Sequence, residues 1–366
     1  CPEAGHGGFL IIHSNPATPN FSFTSPTQSG LGVAAAGLDS LGTIPTFVVS
    51  TFSGVEVWQK TSLFLPPARI LTITGPFGLQ GSELCSAGSP GGVPAFAANA
   101  NGDQVFVLSI TGALQQTLGG AFGSGFGRSL APLNDPGQLH ALVIGAPLSG
   151  GNAGMVTVID SSGSIVGLIQ GNSGELLGMV VASGGDVDGD GFDDLAIGVP
   201  LEDSFVFDVL PNSRFVNGGC VNVIFGTGRG LDSIAITGDE LNDQALQNNL
   251  AFLSINENFG ASLAAGDFNH DGRDDLAIGI PGDIVVSGVS NSGSVNIYMG
   301  TEEGSLPVSL PLPTQRHNGP AVNNIRFGTA LASGDFNGDL FIDLAIGSPF
   351  ESVGSTTQAG VVKGFR

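Results

Sequence analysis

Residues 177–200 read LGMVVASGGDVDGDGFDDLAIGVP, residues 259–281 read FGASLAAGDFNHDGRDDLAIGIP, and residues 327–349 read FGTALASGDFNGDLFIDLAIGSP. One sentence of sequence is written three times. Each copy has a run of small and apolar residues, an Asp- and Gly-rich turn, and a second apolar run that ends on Gly-x-Pro. Two short apolar runs about a tight polar turn predict a β-hairpin. A weaker copy, FGRSLAPLNDPGQLHALVIGAP, occupies 126–147. Two degenerate copies lie upstream, near Leu31 (LGVAAAGLDS, then PTFVVS) and near Phe77 (FGLQGSELCSAG, then VPAFAANA). The repeat therefore starts near 31, 77, 126, 177, 259 and 327.

The repetition extends past each hairpin. A small residue precedes alternating apolar positions in AGMVTVID at 153–160, GGCVNVIFG at 218–226 and GSVNIYMG at 293–300. A fourth short apolar stretch comes next, such as SIVGLIQG at 164–171 or SIAITG at 233–238. Four antiparallel strands per unit in six units is the pattern of an all-β propeller, with seven blades as the alternative. The units run 31–76, 77–125, 126–176, 177–258, 259–326 and 327–366 within a single domain spanning 1–366. Insertions near 203–217, 240–258 and 313–325 fall in loops. Residues 1–30 are expected to complete the last blade: GGFLIIHS at 7–14 reads as a third strand and NFSFTSP at 20–26 as a fourth, closing the ring with strands from both termini. AGVVKGF at 359–365 also reads as a third strand, so one strand is in surplus: a fifth strand, a start of truncated sequence, or a donor to a neighbouring molecule.

Composition agrees. The 59 glycines and 21 prolines among 366 residues punctuate too often for long helices. Apolar residues make up 41%, enough for a sizeable core, and charged residues only 11%. The net charge of −22, with 10 basic against 32 acidic residues, excludes a nucleic-acid footprint and electrostatic binding to anionic lipid. No apolar run reaches the roughly 18 residues of a membrane span. The first residue is Cys1, with no methionine or signal peptide, which fits a processed chain or a fragment; a lipid anchor on Cys1 is a minor alternative. Cys85 and Cys220 read as small buried residues.

The turns carry the chemistry. In DVDGDGFDD at 186–194, carboxylates fall at positions 1, 3, 5 and 9 (Asp186, Asp188, Asp190, Asp194), Gly191 holds the turn, and Phe192 can offer only its carbonyl. This spacing wraps oxygens around a hard cation, as in the first part of an EF-hand loop, though without the glutamate at position 12 and with strands rather than helices on either side. The second loop offers Asp267, Asn269, Asp271, the Arg273 carbonyl and Asp275; the third offers Asp335, Asn337, Asp339, the Phe341 carbonyl and Asp343. Position 8 is Asp193, Asp274 and Ile342, whereas position 9 is always Asp, so position 9 is the ligand. Leu340 replaces glycine at position 6 of the third loop and strains a left-handed turn there. Calcium is expected at all three loops: no Cys or His joins them to favour zinc, and the ligand set is larger than magnesium favours. Three such ions would cut the net charge from −22 to −16. The upstream copies, LNDPGQL at 133–139 and LDSLGTI at 38–44, lack the ligands.

Phe126-Gly127, Phe259-Gly260 and Phe327-Gly328, with Gly145-Ala146-Pro147, Gly198-Val199-Pro200, Gly279-Ile280-Pro281 and Gly347-Ser348-Pro349, resemble the FG-GAP family, the repeats of integrin α-subunit heads and of many bacterial surface proteins. The resemblance implies a propeller with metal loops between the first and second strands of certain blades, and an extracellular role in adhesion or recognition.

Catalytic patterns are sparse. The five histidines lack zinc spacing, no Gly-x-Ser-x-Gly elbow occurs, and the glycine-rich GSGFG at 123–127 has no P-loop lysine after it. His270 reads as exposed and His140 as a strand-edge residue. One Trp (Trp58) and one Tyr (Tyr298) leave little for stacking sugars. The reading is a noncatalytic, calcium-stabilised extracellular propeller. It presents loops to a protein or glycan partner, or assembles with copies of itself into a surface structure or filament. The alternative is a polysaccharide- or lipid-active enzyme or its accessory binding domain.

Overall fold

The computed structural model describes residues 9–12, 21–24, 31–38, 46–51, 54–59, 68–73, 83–87, 95–100, 103–133, 141–202, 204–206, 213–215, 217–227, 230–231, 235–236, 245–246, 256–301, 313–336, 339 and 341–365. They form a β-propeller. The first blade is Leu31–Leu38, Thr46–Thr51, Gly54–Gln59 and Ala68–Ile73; the second is Leu84–Ser86, Ala95–Ala100, Gln104–Ser109 and Leu114–Gly119. The third is Ser129–Leu133, Ala141–Ala146, Met155–Ile159 and Ile165–Gln170. The fourth is Val180–Gly185, Asp194–Val199, Cys220–Ile224 and Ala245–Leu246, and the fifth is Ser262–Gly266, Asp275–Ile280, Ser294–Tyr298 and Gln315–Asn318. The sixth holds three strands, Ala330–Gly334, Asp343–Ser348 and Val361–Phe365. Successive strands within each blade are antiparallel, and the first strand of each blade lies against the first strand of the next, from Leu31–Leu38 to Ala330–Gly334.

One strand lies elsewhere than expected, and of the two third-strand candidates at the chain ends one joins the last blade's sheet. Phe9–Ile12 and Phe21–Thr24 pair with each other, and Val361–Phe365 takes third place in the last blade. A short hairpin connection costs less closure entropy than pairing residues from opposite ends of the chain. Ala235–Ile236, expected as fourth strand of its own blade, runs parallel to Ile165–Gln170 on the outer edge of the third blade, and Ala245–Leu246 takes the fourth place. The outer edge of the third blade offers unpaired peptide groups, and the long insert has chain enough to reach them.

The repeated Leu-Ala-Ile-Gly run explains how blades stack. Alternate residues of a strand face opposite sides, so Leu195 and Ile197 face one neighbour while Ala196 and Gly198 face the other. Leu195 and Ile197 pack with Val143, Val156 and Ile169 of the third blade, whereas Ala196 packs with Leu276 and Ile278 of the fifth. The fifth and sixth blades thus set bulky side chains against the small Ala196 and Ala277 of their predecessors. Five core clusters fill five junctions, from first–second to fifth–sixth. The Phe of each Phe-Gly pair, Phe126, Phe259 and Phe327, is buried at a junction, with Leu177 in that place in the fourth unit.

Both motif glycines follow from this stacking. The N–H of Gly260 donates to Gly279 O of its own blade at 3.2 Å, and Gly328 donates to Gly347 O at 3.1 Å. The carbonyls of Gly260 and Gly328 lie over the preceding blade, where a Cβ on Gly198 or Gly279 would come within 2.2 Å of them. Backbone meets backbone, and no side chain fits. Gly279→Ala is expected to cost about 1–3 kcal/mol by overpacking. The check is a urea midpoint lowered with the slope unchanged.

Candidate metal centre

The hairpin turns between the first and second strands of the fourth, fifth and sixth blades share one hydrogen-bond code. The position 7 N–H bonds the position 5 carboxylate: Phe192 to Asp190 Oδ1 at 2.9 Å, Arg273 to Asp271 Oδ1 at 3.0 Å, and Phe341 to Asp339 Oδ1 at 3.0 Å. The position 2 N–H bonds the position 9 carboxylate: Val187 to Asp194 at 2.8 Å, Phe268 to Asp275 at 3.0 Å, and Phe336 to Asp343 at 3.2 Å. At position 1, Asp186 accepts from Gly191 N at 2.9 Å and Asp267 from Gly272 N at 3.0 Å, while Asp335 accepts from Asp339 N at 3.1 Å. Each turn is curled by its own acids around one centre.

The first loop brings Asp186, Asp188 and Asp190 together, with one carboxylate oxygen of each within 4.8 Å of the others. Asp186 Oδ1 is buried and has no hydrogen-bond partner. A buried carboxylate oxygen left bare is costly, and a cation beside it removes the cost. Burial raises the Asp188 carboxyl, and the neighbouring charges of Asp190 and Asp186 raise it further. The residues fit a hard divalent ion.

Asp194 and Asp275 lie deeper. The second oxygen of Asp194 accepts from Gly226 N–H at 2.8 Å, and Asp275 Oδ1 accepts from Gly300 N–H at 3.0 Å, just past the third strand of each blade. The position 9 acid is therefore a latch between turn and third strand, with lone pairs left for an ion. Burial pushes Asp194 up to about 7 and Asp275 up to about 6, against the N–H donors that lower them.

Arg273 contributes more than a carbonyl. Its guanidinium pairs with Asp271 at 3.1 Å, so the second loop holds a tethered positive charge beside its position 5 acid. Asn269 donates to that carboxylate at 3.1 Å. In the third loop, Asn337 and Leu340, with the strain expected at position 6, lie outside the described residues, as do 134–140 and 39–45 of the upstream turns.

Sequence reasoning misses three features. Position 4 is left-handed in both fully described loops, with φ +76° at Gly189 and +63° at His270. Gly226 and Gly300 receive the latch, and their signal is present in the sequence: both end the third-strand run, in VIFG and IYMG. Position 8 faces the preceding blade. Asp274 Oδ2 accepts from Asp186 N at 3.1 Å, and Ile342 fills the same place against Gly266. Packing at a junction explains why an apolar residue is tolerated there. Asp193 and Asp274 also face a cavity of about 580 Å³ among the inner strands, with Ser183, Ala265 and Ser333.

Other sequence candidates have structural occupations. The glycine-rich 123–127 turn wraps its N–H groups around Asp103: Gly123 at 2.6 Å, Gly125 at 2.7 Å and Phe126 at 3.1 Å. An internal carboxylate fills that anion nest. His270 is exposed and packs on the Phe341 ring at 4.1 Å, and Tyr298 is buried edge-on to Phe259. Cys85 and Cys220 are buried and free, with both thiols pushed up by burial. His6, His13, His140 and the Trp58 side chain lie outside the described residues. No helix among the described residues is long and apolar enough to cross a membrane.

The turn geometry is repeated in three blades, and the FG-GAP repeat matches these same stretches, residues 177–213, 259–298 and 327–363. These are FG-GAP repeats. The chain is 36% identical over 190 residues to rat phosphatidylinositol-glycan-specific phospholipase D, covering 52% of this chain and 20% of that protein. It is 32% identical over 219 residues to integrin alpha-PS5 of Drosophila melanogaster, covering 56% and 18%. With mouse integrin alpha-3 it shares 36% over 97 residues, covering 26% and 9%. The chain spans about a fifth or less of these relatives.

Proposed function

We propose that this FG-GAP propeller is a noncatalytic, extracellular recognition module whose last three blades are tied by calcium. The first ion would be held by Asp186, Asp188, Asp190, the Phe192 carbonyl and Asp194. The second would be held by Asp267, Asn269, Asp271, the Arg273 carbonyl and Asp275, and the third by Asp335, Asn337, Asp339, the Phe341 carbonyl and Asp343. The ion supplies positive charge that joins acids which otherwise repel. The single observation that carries the reading is the bare, buried Asp186 Oδ1 at the centre of a three-carboxylate cluster. Partly exposed ligands on surface turns suit the millimolar calcium outside cells. Loops on the rim then meet a protein partner, a glycan, or copies of the chain.

Titration calorimetry of the full chain tests this: three calcium ions per chain are expected, falling to two in Asp186→Ala/Asp188→Ala. Uptake of no calcium at millimolar concentration would refute it. The resemblance to integrin α subunits supports a protein partner in particular.

A further inference from the structure

We infer that the first and second loops load calcium as a coupled pair, joined through Asp274; this rests on the calcium reading of the proposed function. Asp186, first ligand of the first loop, exchanges two hydrogen bonds across the blade junction with Asp274. Its N–H donates to Asp274 Oδ2 at 3.1 Å, and its carbonyl accepts from Asp274 N at 3.0 Å. Asp274 directly precedes Asp275, the last ligand of the second loop. The peptide carrying one site's first ligand is thus clamped to the residue beside the other site's last ligand.

Two further contacts run in parallel. Val187 O accepts from Thr301 N at 3.0 Å, and the neighbouring Gly300 N–H is held by Asp275. The Arg273 stem lies against Gly189, 3.2 Å from where a Cβ would stand. The chain makes room for the clamp at Gly185, where a Cβ would sit 2.2 Å from Asp274 Oδ2. An ion that orders either turn fixes backbone that the other must also fix, so the second ion meets a smaller ordering cost. Between the second and third loops the same position is Ile342, whose side chain has no acceptor for a neighbour's peptide. It packs instead on Gly266, beside the His270–Phe341 ring contact. The side-chain hydrogen bond across the junction of the fourth and fifth blades depends on the identity of one residue, Asp274.

A double-mutant cycle in calcium titration tests this. All chains carry Asp335→Ala and Asp339→Ala to silence the third loop. The second loop is then silenced by Asp267→Ala with Asp271→Ala, so the remaining heat belongs to the first. With Asp274 present, first-loop affinity is expected to fall roughly fivefold or more when the second loop is silenced, the lower end of ordinary coupling. With Asp274→Ile the fall should be less than about twofold. Asp274→Asn keeps an acceptor for Asp186 N–H and should retain the coupling, which separates loss of the clamp from loss of fold. First-loop affinity indifferent to the second loop, or an equal fall with Asp274→Ile, overturns the proposal while leaving the calcium reading intact. A wild-type chain that takes up no calcium overturns both.

Discussion

Stripping calcium from the full chain is expected to lower its melting temperature by about 10 °C. Three ions each present at a hundredfold excess over Kd stabilise the fold by about 8 kcal/mol together. For 366 residues the entropy of unfolding makes each kcal/mol worth about 1.3 °C. The acids explain why the loss is so large. Without an ion, Asp188 is pushed towards its neutral form by burial and by Asp190 and Asp186, and Asp186 keeps a bare buried oxygen. Scanning calorimetry with and without chelator reads the effect directly. Magnesium should restore less than calcium, because its small octahedral shell matches these turns poorly. An unchanged melting temperature in chelator, together with no calcium by elemental analysis, would remove the ions from the account of this fold.

The repeats could be read in advance because their constraints are local. A turn that curls acids around one centre needs them at alternate positions, so Asp186, Asp188 and Asp190 are visible without a structure. The Leu-Ala-Ile-Gly run is likewise legible, since stacking demands large and small faces at period two. Other features depend on what lies across a junction. Asp274 and Ile342 occupy one place and look unrelated in sequence, yet each fills the space over a glycine of the preceding blade. Gly226 and Gly300 look like ordinary strand ends until Asp194 and Asp275 are seen to hold their N–H groups. The ends of the chain were ambiguous for a different reason. Phe9–Ile12 and Val361–Phe365 have equal strand character, and composition does not say which one Asp343–Ser348 pairs with.

The latch and the ion can be separated by where the damage persists. Asp275→Ala removes the acceptor for three backbone donors: Phe268 N at 3.0 Å, Asn269 N at 3.2 Å and Gly300 N at 3.0 Å. Asp275 is fully buried, and no water replaces it without opening the turn. Phe268 N keeps Gly266 O at 2.9 Å, so two donors are stranded; at about 1–3 kcal/mol each, the variant should lose roughly 2–6 kcal/mol. That corresponds to a fall of about 3–8 °C on the same scale. Because the latch exists without an ion, this loss must remain in chelator. Asp271→Ala, by contrast, removes an exposed acid that holds Arg273 and its own turn. It should weaken calcium binding yet leave the chelated protein melting within about 1 °C of wild type, since exposed ion pairs contribute little. If Asp275→Ala and Asp271→Ala behaved alike in chelator, the position 9 acid would be no more than another ligand. The turn would then have no hold on the third strand, and the ions would tie the turns without tying the blades.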